Sequence, residues 1–227
     1  MSFKEFLKSL NNDKAEGELV KTIFVSLITS FILLAVLYFL RLRDIENFIP
    51  KYGFYLFFTV LSYASIIPSI KYVRAYREFA CMSGMMIGMT IGMITGFLSG
   101  FFIASTNGMF VGSVFGMSLG IFFGAWNGKC CGIMGTMEGI MAGFMGGLMG
   151  AMTSIMMLND NLKAAAVVVF LISIVILTGL NYLMYKETRE MERKHKDDMF
   201  FTVFWSFLLT SITGLIMIFG PRSLLFQ

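Results

Sequence analysis

The fold class that this chain predicts is an all-α, polytopic membrane protein of about seven transmembrane helices, and three observations predict it. Hydrophobic residues make up 57% of the chain and charged residues 14%, with a mean hydropathy of +0.77. That is too little charge to cover a water-exposed surface. Its apolar runs reach the roughly 20 residues that a helix needs to cross the hydrocarbon layer. Between residues 81 and 157 glycine recurs at almost every fourth position, which predicts a glycine-zipper centre of three helices packed closely in lipid.

Taken in order, residues 1–18 form an N-terminal amphipathic segment. Phe3, Phe6, Leu7 and Leu10 share one helical face and Lys4, Glu5 and Lys8 the other, a pattern suited to the membrane interface. Residues 19–80 hold the first two spans, at 19–40 and 52–73. The first is long for the apolar core of a signal peptide and no small-residue cleavage site follows it, so it is expected to remain in the mature protein. Pro68, late in the second, removes a backbone hydrogen bond and predicts a kink.

Residues 81–157 are the Gly/Met-rich core, with spans at 81–103, 108–126 and 131–157. Two corners divide it, each ending in Asn-Gly, Asn107-Gly108 and Asn127-Gly128, a dipeptide that tolerates left-handed backbone angles. Residues 158–227 hold the last two spans, at 163–185 and 199–220. Between these two, residues 186–198 alternate both signs of charge, with Glu190/Lys194 and Glu192/Lys196 at helical spacing, and read as a solvated extension. His195, the lone histidine, lies in that run and is a poor catalytic base or metal ligand.

On this topology all but five of the 18 Lys and Arg residues fall on the side that holds the N-terminus. The excess puts the N-terminus in the cytoplasm and the C-terminus outside the plasma membrane. The net charge of +4 is accounted for in the same way, and no nucleic-acid partner is expected. Three cysteines cannot all pair within one chain, so no disulfide framework is expected either.

Glycine every four residues lets backbones approach where burying oil against oil gives little drive. Such a row advances by roughly 40° around the helix at each step, so helices packed on it are expected to cross at roughly −40°. From Gly84 to Gly100 it drifts by roughly 160°, more than one neighbour covers, so this helix is expected to be surrounded by protein. Away from these rows stand methionines. Met82, Met86, Met89 and Met93 share a face of the third helix, and Met134, Met141 and Met145, with Met149, Met152 and Met156, a face of the fifth. Glu138 lies in the second stripe, where an ionisable group costs about 2.5–3.5 kcal/mol unless it faces a cavity, a partner or a permeant species.

Cys81, Cys130 and Cys131 all fall near the cytoplasmic end, and Lys129 beside the pair is expected to favour thiolate. Thiolate and thioether together select soft metals, Cu(I) above all. Methionine is also an adaptable gap-filler around thin, glycine-rich helices, and that role stays open beside metal conduction.

Met85-x-x-x-Met89 and Met89-x-x-x-Met93, with the Gly-x-x-x-Gly repeats, resemble motifs of the eukaryotic high-affinity copper transporters. In that family a Met-x-x-x-Met pair lines a Cu(I) pore and cysteines at the cytoplasmic end receive the ion. The similarity covers about a third of the chain, and that family has three spans, a Met-rich extracellular tail and a terminal Cys-His motif. The adjacent cysteines are also similar to those of bacterial mercury-uptake proteins. The resulting expectation is a transporter or channel-like permease for a soft metal cation, with Cu(I) as possible bound ion. Membrane lipid and further copies or other subunits are its expected partners. The alternatives are a glycine-zipper structural subunit without a ligand, and a proton- or cation-coupled carrier built on Glu138. No nucleophile, base and orienting residue cluster together, so an enzyme is not expected.

Overall fold

The computed structural model describes residues 17–37, 52–76, 79–188 and 199–221. All regular structure among them is helical: α1 (Gly17–Leu37), α2 (Phe54–Tyr76), α3 (Cys81–Asn107), α4 (Met109–Gly128), α5 (Gly132–Met156), α6 (Leu162–Thr188) and α7 (Met199–Phe219). Six helical stretches are long and apolar enough to cross a membrane; residues Met109–Met156 count as one of them, because only a 3-10 turn, Lys129–Cys131, separates α4 from α5. All but the last two residues of the N-terminal amphipathic segment and most of the charged run 186–198, His195 included, lie outside the described residues.

Helix α3 turns into α4 at Gly108, whose φ of 108° is one that side chains with a Cβ rarely adopt. Asn107 pins this corner. Its Nδ2 donates to the Ile216 carbonyl of α7 at 2.8 Å, and its Oδ1 accepts from Thr106 Oγ1 at 2.7 Å. The second corner differs from expectation. Gly128 keeps helical angles (φ −72°, ψ −15°) and the positive φ, 67°, moves to Gly132. Asn127 stays within the helix, donating to Phe123 O at 2.8 Å, so the turn falls four residues later than the Asn-Gly pair predicts.

Helices α3, α4 and α5 touch backbone to backbone along their glycines. In the α4–α5 pair Gly116 meets Gly147, Gly120 meets Gly143, Gly124 meets Gly139 and Gly128 meets Gly135, an antiparallel register without a slip. The α3 row serves both neighbours. A Cβ on Gly88 would stand 2.8 Å from Gly128 Cα, and one on Gly92 would stand 2.9 Å from both Gly124 Cα and Gly139 O. Contact kept over so many steps is not a single crossing point. A repeat of four residues, longer than the 3.6 of the helix, holds such contact by right-handed coiling.

On its other side α3 buries Ile87, Ile91, Leu98, Phe101 and Phe102 completely against α2, α6 and α7. It is therefore covered over much of its circumference, as the drifting row predicts, yet Met82, Met86, Met89 and Met93 remain exposed. Helix α2 runs unbroken through Pro68. Helices α1 and α7 lie parallel along a polar seam that hydropathy does not reveal. Ser26 and Ser206 share a hydrogen bond of 2.8 Å, and Thr210 Oγ1 donates to Ser30 Oγ at 3.1 Å. The register is constant because both rows repeat every four residues, the polar counterpart of the glycine rows.

A Cβ at Gly139 or Gly143 would strike the main chain of α4, whereas one at Gly179 of α6 meets nothing within 4 Å. Gly143→Leu is expected to lower stability by about 3 kcal/mol, the upper end of overpacking costs, and Gly179→Leu to leave it unchanged. Thermal unfolding of the two variants in detergent measures the difference.

Candidate functional site

One end of the helix set gathers the three cysteines with several ionisable side chains of the described residues. The end of α2, the start of α3, the α4–α5 turn and the end of α6 meet there, tied by Tyr72 Oη to Thr188 Oγ1 at 2.8 Å and by Ala80 N donating to Glu187 Oε1 at 2.6 Å. The second carboxylate oxygen of Glu187, Oε2, is buried without a hydrogen-bond partner among the described residues.

The three cysteines, 49 and 50 residues apart in sequence (Cys81 to Cys130 and to Cys131), come together at this end as free thiols. Cys131 Sγ donates to the Cys81 carbonyl at 2.8 Å and Cys130 Sγ to the Asn127 carbonyl at 3.2 Å. Both sulfurs crowd Gly84, where a Cβ would lie 2.5 Å from Cys131 Sγ and 2.8 Å from Cys130 Sγ. The absent side chain thus makes the space that the thiols occupy. No group of three or more His, Cys, Asp or Glu among the described residues has the spacing to hold a metal ion.

Lys129 does not favour thiolate as expected. Burial raises the Cys130 pKa above its ordinary value, and that of Cys131 is raised by burial, by hydrogen bonding with Cys81 and by the charges its thiol neighbours would carry. Lys129 is exposed in the turn, where water screens its charge. Cys130 and Cys131 stand close enough together that a thiolate on one opposes ionisation of the other.

The methionine stripes lead away from this cluster along the outside of the molecule. Met82, Met86, Met89 and Met93 of α3 are exposed, as are Met134, Met141, Met145, Met149, Met152 and Met156 of α5, with Met137. Between α3 and α5 there is no room for a path: Gly146 packs on the main chain of Met93 and Gly150 on that of Phe97. The two stripes border this closed seam and make one methionine-rich outer face. Gly146 and Gly150 form a second row on α5, outside the row from Gly135 to Gly147. Its spacing is also four, but in the sequence the longer row beside it masks it.

Glu138 is half-buried within the α5 stripe. It stands six residues from Gly132, about 9 Å along the helix. It has no hydrogen-bond or ion-pair partner among the described residues. No known protein family, curated protein or solved structure matches the chain.

Because the thiolate is the reacting form, alkylation of Cys130 and Cys131 at pH 7.5 is expected to be slow and to accelerate only above the ordinary thiol range. In a chain that keeps Cys131 but carries Cys81→Ala and Cys130→Ala, acceleration should begin at lower pH. Mass-spectrometric labelling rates across pH read both effects, and rates equal to those of free cysteine at pH 7.5 would contradict the assignment.

Proposed function

We propose that the protein is a transporter or channel-like permease for a soft metal cation, most of all Cu(I), built on seven transmembrane helices with a glycine-zipper centre. The observation that carries this reading is the exposed methionine face containing an unpartnered carboxylate, Glu138, and ending at three clustered thiols. Thioethers are weak, soft ligands that pass a cation along instead of trapping it. Because the stripes face outward, the path lies between this face and a second surface, another copy of the chain or another subunit. Glu138 supplies charge balance or proton coupling there, and its desolvation cost in lipid favours a covered face. Cys81, Cys130 and Cys131, which do not have the spacing to hold a metal ion as they stand, act as the transfer site once their side chains close on the arriving cation. Binding a cation there displaces their protons, so uptake at the thiols falls as pH falls. The excess of Lys and Arg supports a cytoplasmic position for this end in the plasma membrane, with the C-terminus outside.

A ligand-free structural subunit is the second reading. It is favoured by the same outward direction of the methionines, which suits filler against lipid or a neighbouring subunit. A carrier of another solute coupled through Glu138 would differ from both in being indifferent to copper and silver.

Flux of Cu(I) or Ag(I) into vesicles carrying the purified protein separates them. Glu138→Gln and the triple substitution Cys81→Ser, Cys130→Ser, Cys131→Ser are each expected to cut flux at least about tenfold, a loss of about 1.4 kcal/mol of binding or barrier stabilisation. Met-to-Leu changes at 86, 89, 141 and 145 should cut it in proportion to their number. Undiminished flux in all these variants would refute the site, and absence of flux in the parent protein would favour the structural reading.

A further inference from the structure

Cys131 is the meeting point of the thiol cluster. Its Sγ lies 2.8 Å from the Cys81 carbonyl and 3.8 Å from that of Ala80, and within hydrogen-bonding reach of the side chains of both Cys81 and Cys130. Cys130 is engaged elsewhere. Its Sγ donates to the Asn127 carbonyl of its own turn at 3.2 Å, and of the other two thiols it hydrogen-bonds only with Cys131. On α3, Cys81 precedes Gly84 by three residues and so shares its face. Cys131 Sγ sits over that face because Gly84 has no Cβ to exclude it. Cys81 itself is exposed, and all three sulfurs are free thiols. Lys129 and Lys186, both exposed, flank this end of the helices, as suits an end that meets water.

We propose that Cys81 and Cys131 are a reversible oxidation site, closing to a disulfide by exchange with a low-molecular-weight disulfide such as glutathione disulfide. In the first exchange the exposed Cys81 sulfur attacks the small disulfide and bonds to one of its halves. The other half leaves as a thiol, taking up the Cys81 proton. In the second exchange the Cys131 sulfur attacks Cys81 Sγ and expels the remaining half, which takes up the Cys131 proton. Two protein thiols are oxidised and one small disulfide is reduced to two thiols. The carbonyl contact holds the second sulfur beside the first, so that side-chain rotation brings the pair together. A bond between Cys130 and Cys131 would instead close through a single peptide unit and force it from planar trans geometry. The product ties the start of α3 to the α4–α5 turn. It rests on the thiol geometry alone and holds whether or not the cluster carries a cation. In a reducing compartment such a bond is transient, as redox-sensing disulfides are.

Oxidation of the full-length chain in detergent, without added metal, tests this. Trypsin cuts after Lys129, which parts residues 78–129, with Cys81, from residues 130–163, with Cys130 and Cys131. The chain is treated with glutathione disulfide, its remaining thiols are alkylated, and the monomer band of a non-reducing gel is digested. Mass spectrometry is expected to find the two peptides joined, with one cysteine alkylated, and dithiothreitol to part them. Cys130→Ser should leave the joined species undiminished. Cys131→Ser should lose it and leave Cys81 carrying glutathione. Gel filtration confirms that each variant is folded. Joined peptides absent from the oxidised monomer, a bond confined to residues 130 and 131, or joined peptides undiminished in folded Cys131→Ser would overturn the proposal.

Discussion

Backbone contact between α3, α4 and α5 is the constraint on which the rest of the arrangement depends. Gly92 stands against Gly124 and Gly139 at once, and Gly96 against main-chain atoms of Gly116, Gly143 and Gly147. Three helix axes can converge in this way only where none carries a Cβ. In lipid, where apolar side chains gain little by leaving their solvent, the close approach of main chains supplies van der Waals contact and weak Cα–H to carbonyl bonds. The large side chains of the three helices then have two places to go. On α3 the apolar set around Ile91 and Leu98 points inward to α2, α6 and α7, and the methionines of α3 and α5 are turned out. The exposure of the methionine stripes is thus a consequence of the glycine rows as much as a feature in its own right.

Spacing alone makes the packing rows legible in the sequence. A four-residue period states which residues share a face, and the contact partners follow once the corners are placed. The period cannot state which face has a neighbour. Met93 and Gly146 show this: the sequence puts methionine and glycine on different faces of each helix, but only the fold shows that the glycine of one helix closes on the main chain carrying the methionine of the other. A path between the two ladders, natural on a helical wheel, is thereby excluded within one chain. The second corner departs from its Asn-Gly pair for a local reason. Asn127 satisfies its amide within the helix, and Gly132, with nothing within 4 Å of its missing Cβ, takes the strained angle instead. The seam of Ser26, Ser30, Ser206 and Thr210 is readable in the same way as the glycines. It hides because hydroxyls scattered through a run of Phe and Leu do not disturb its hydropathy.

The thiols show where reasoning from neighbours in sequence fails. Lys129 adjoins Cys130, which suggests an activated pair, yet the side chain projects from an exposed turn while the sulfurs turn inward to Gly84 and the start of α3. Burial and the opposition of neighbouring thiols outweigh a screened charge one residue away. Cys130 and Cys131 at rest are therefore held as thiols. Use of the cluster as a transfer site requires that proton release accompany cation binding.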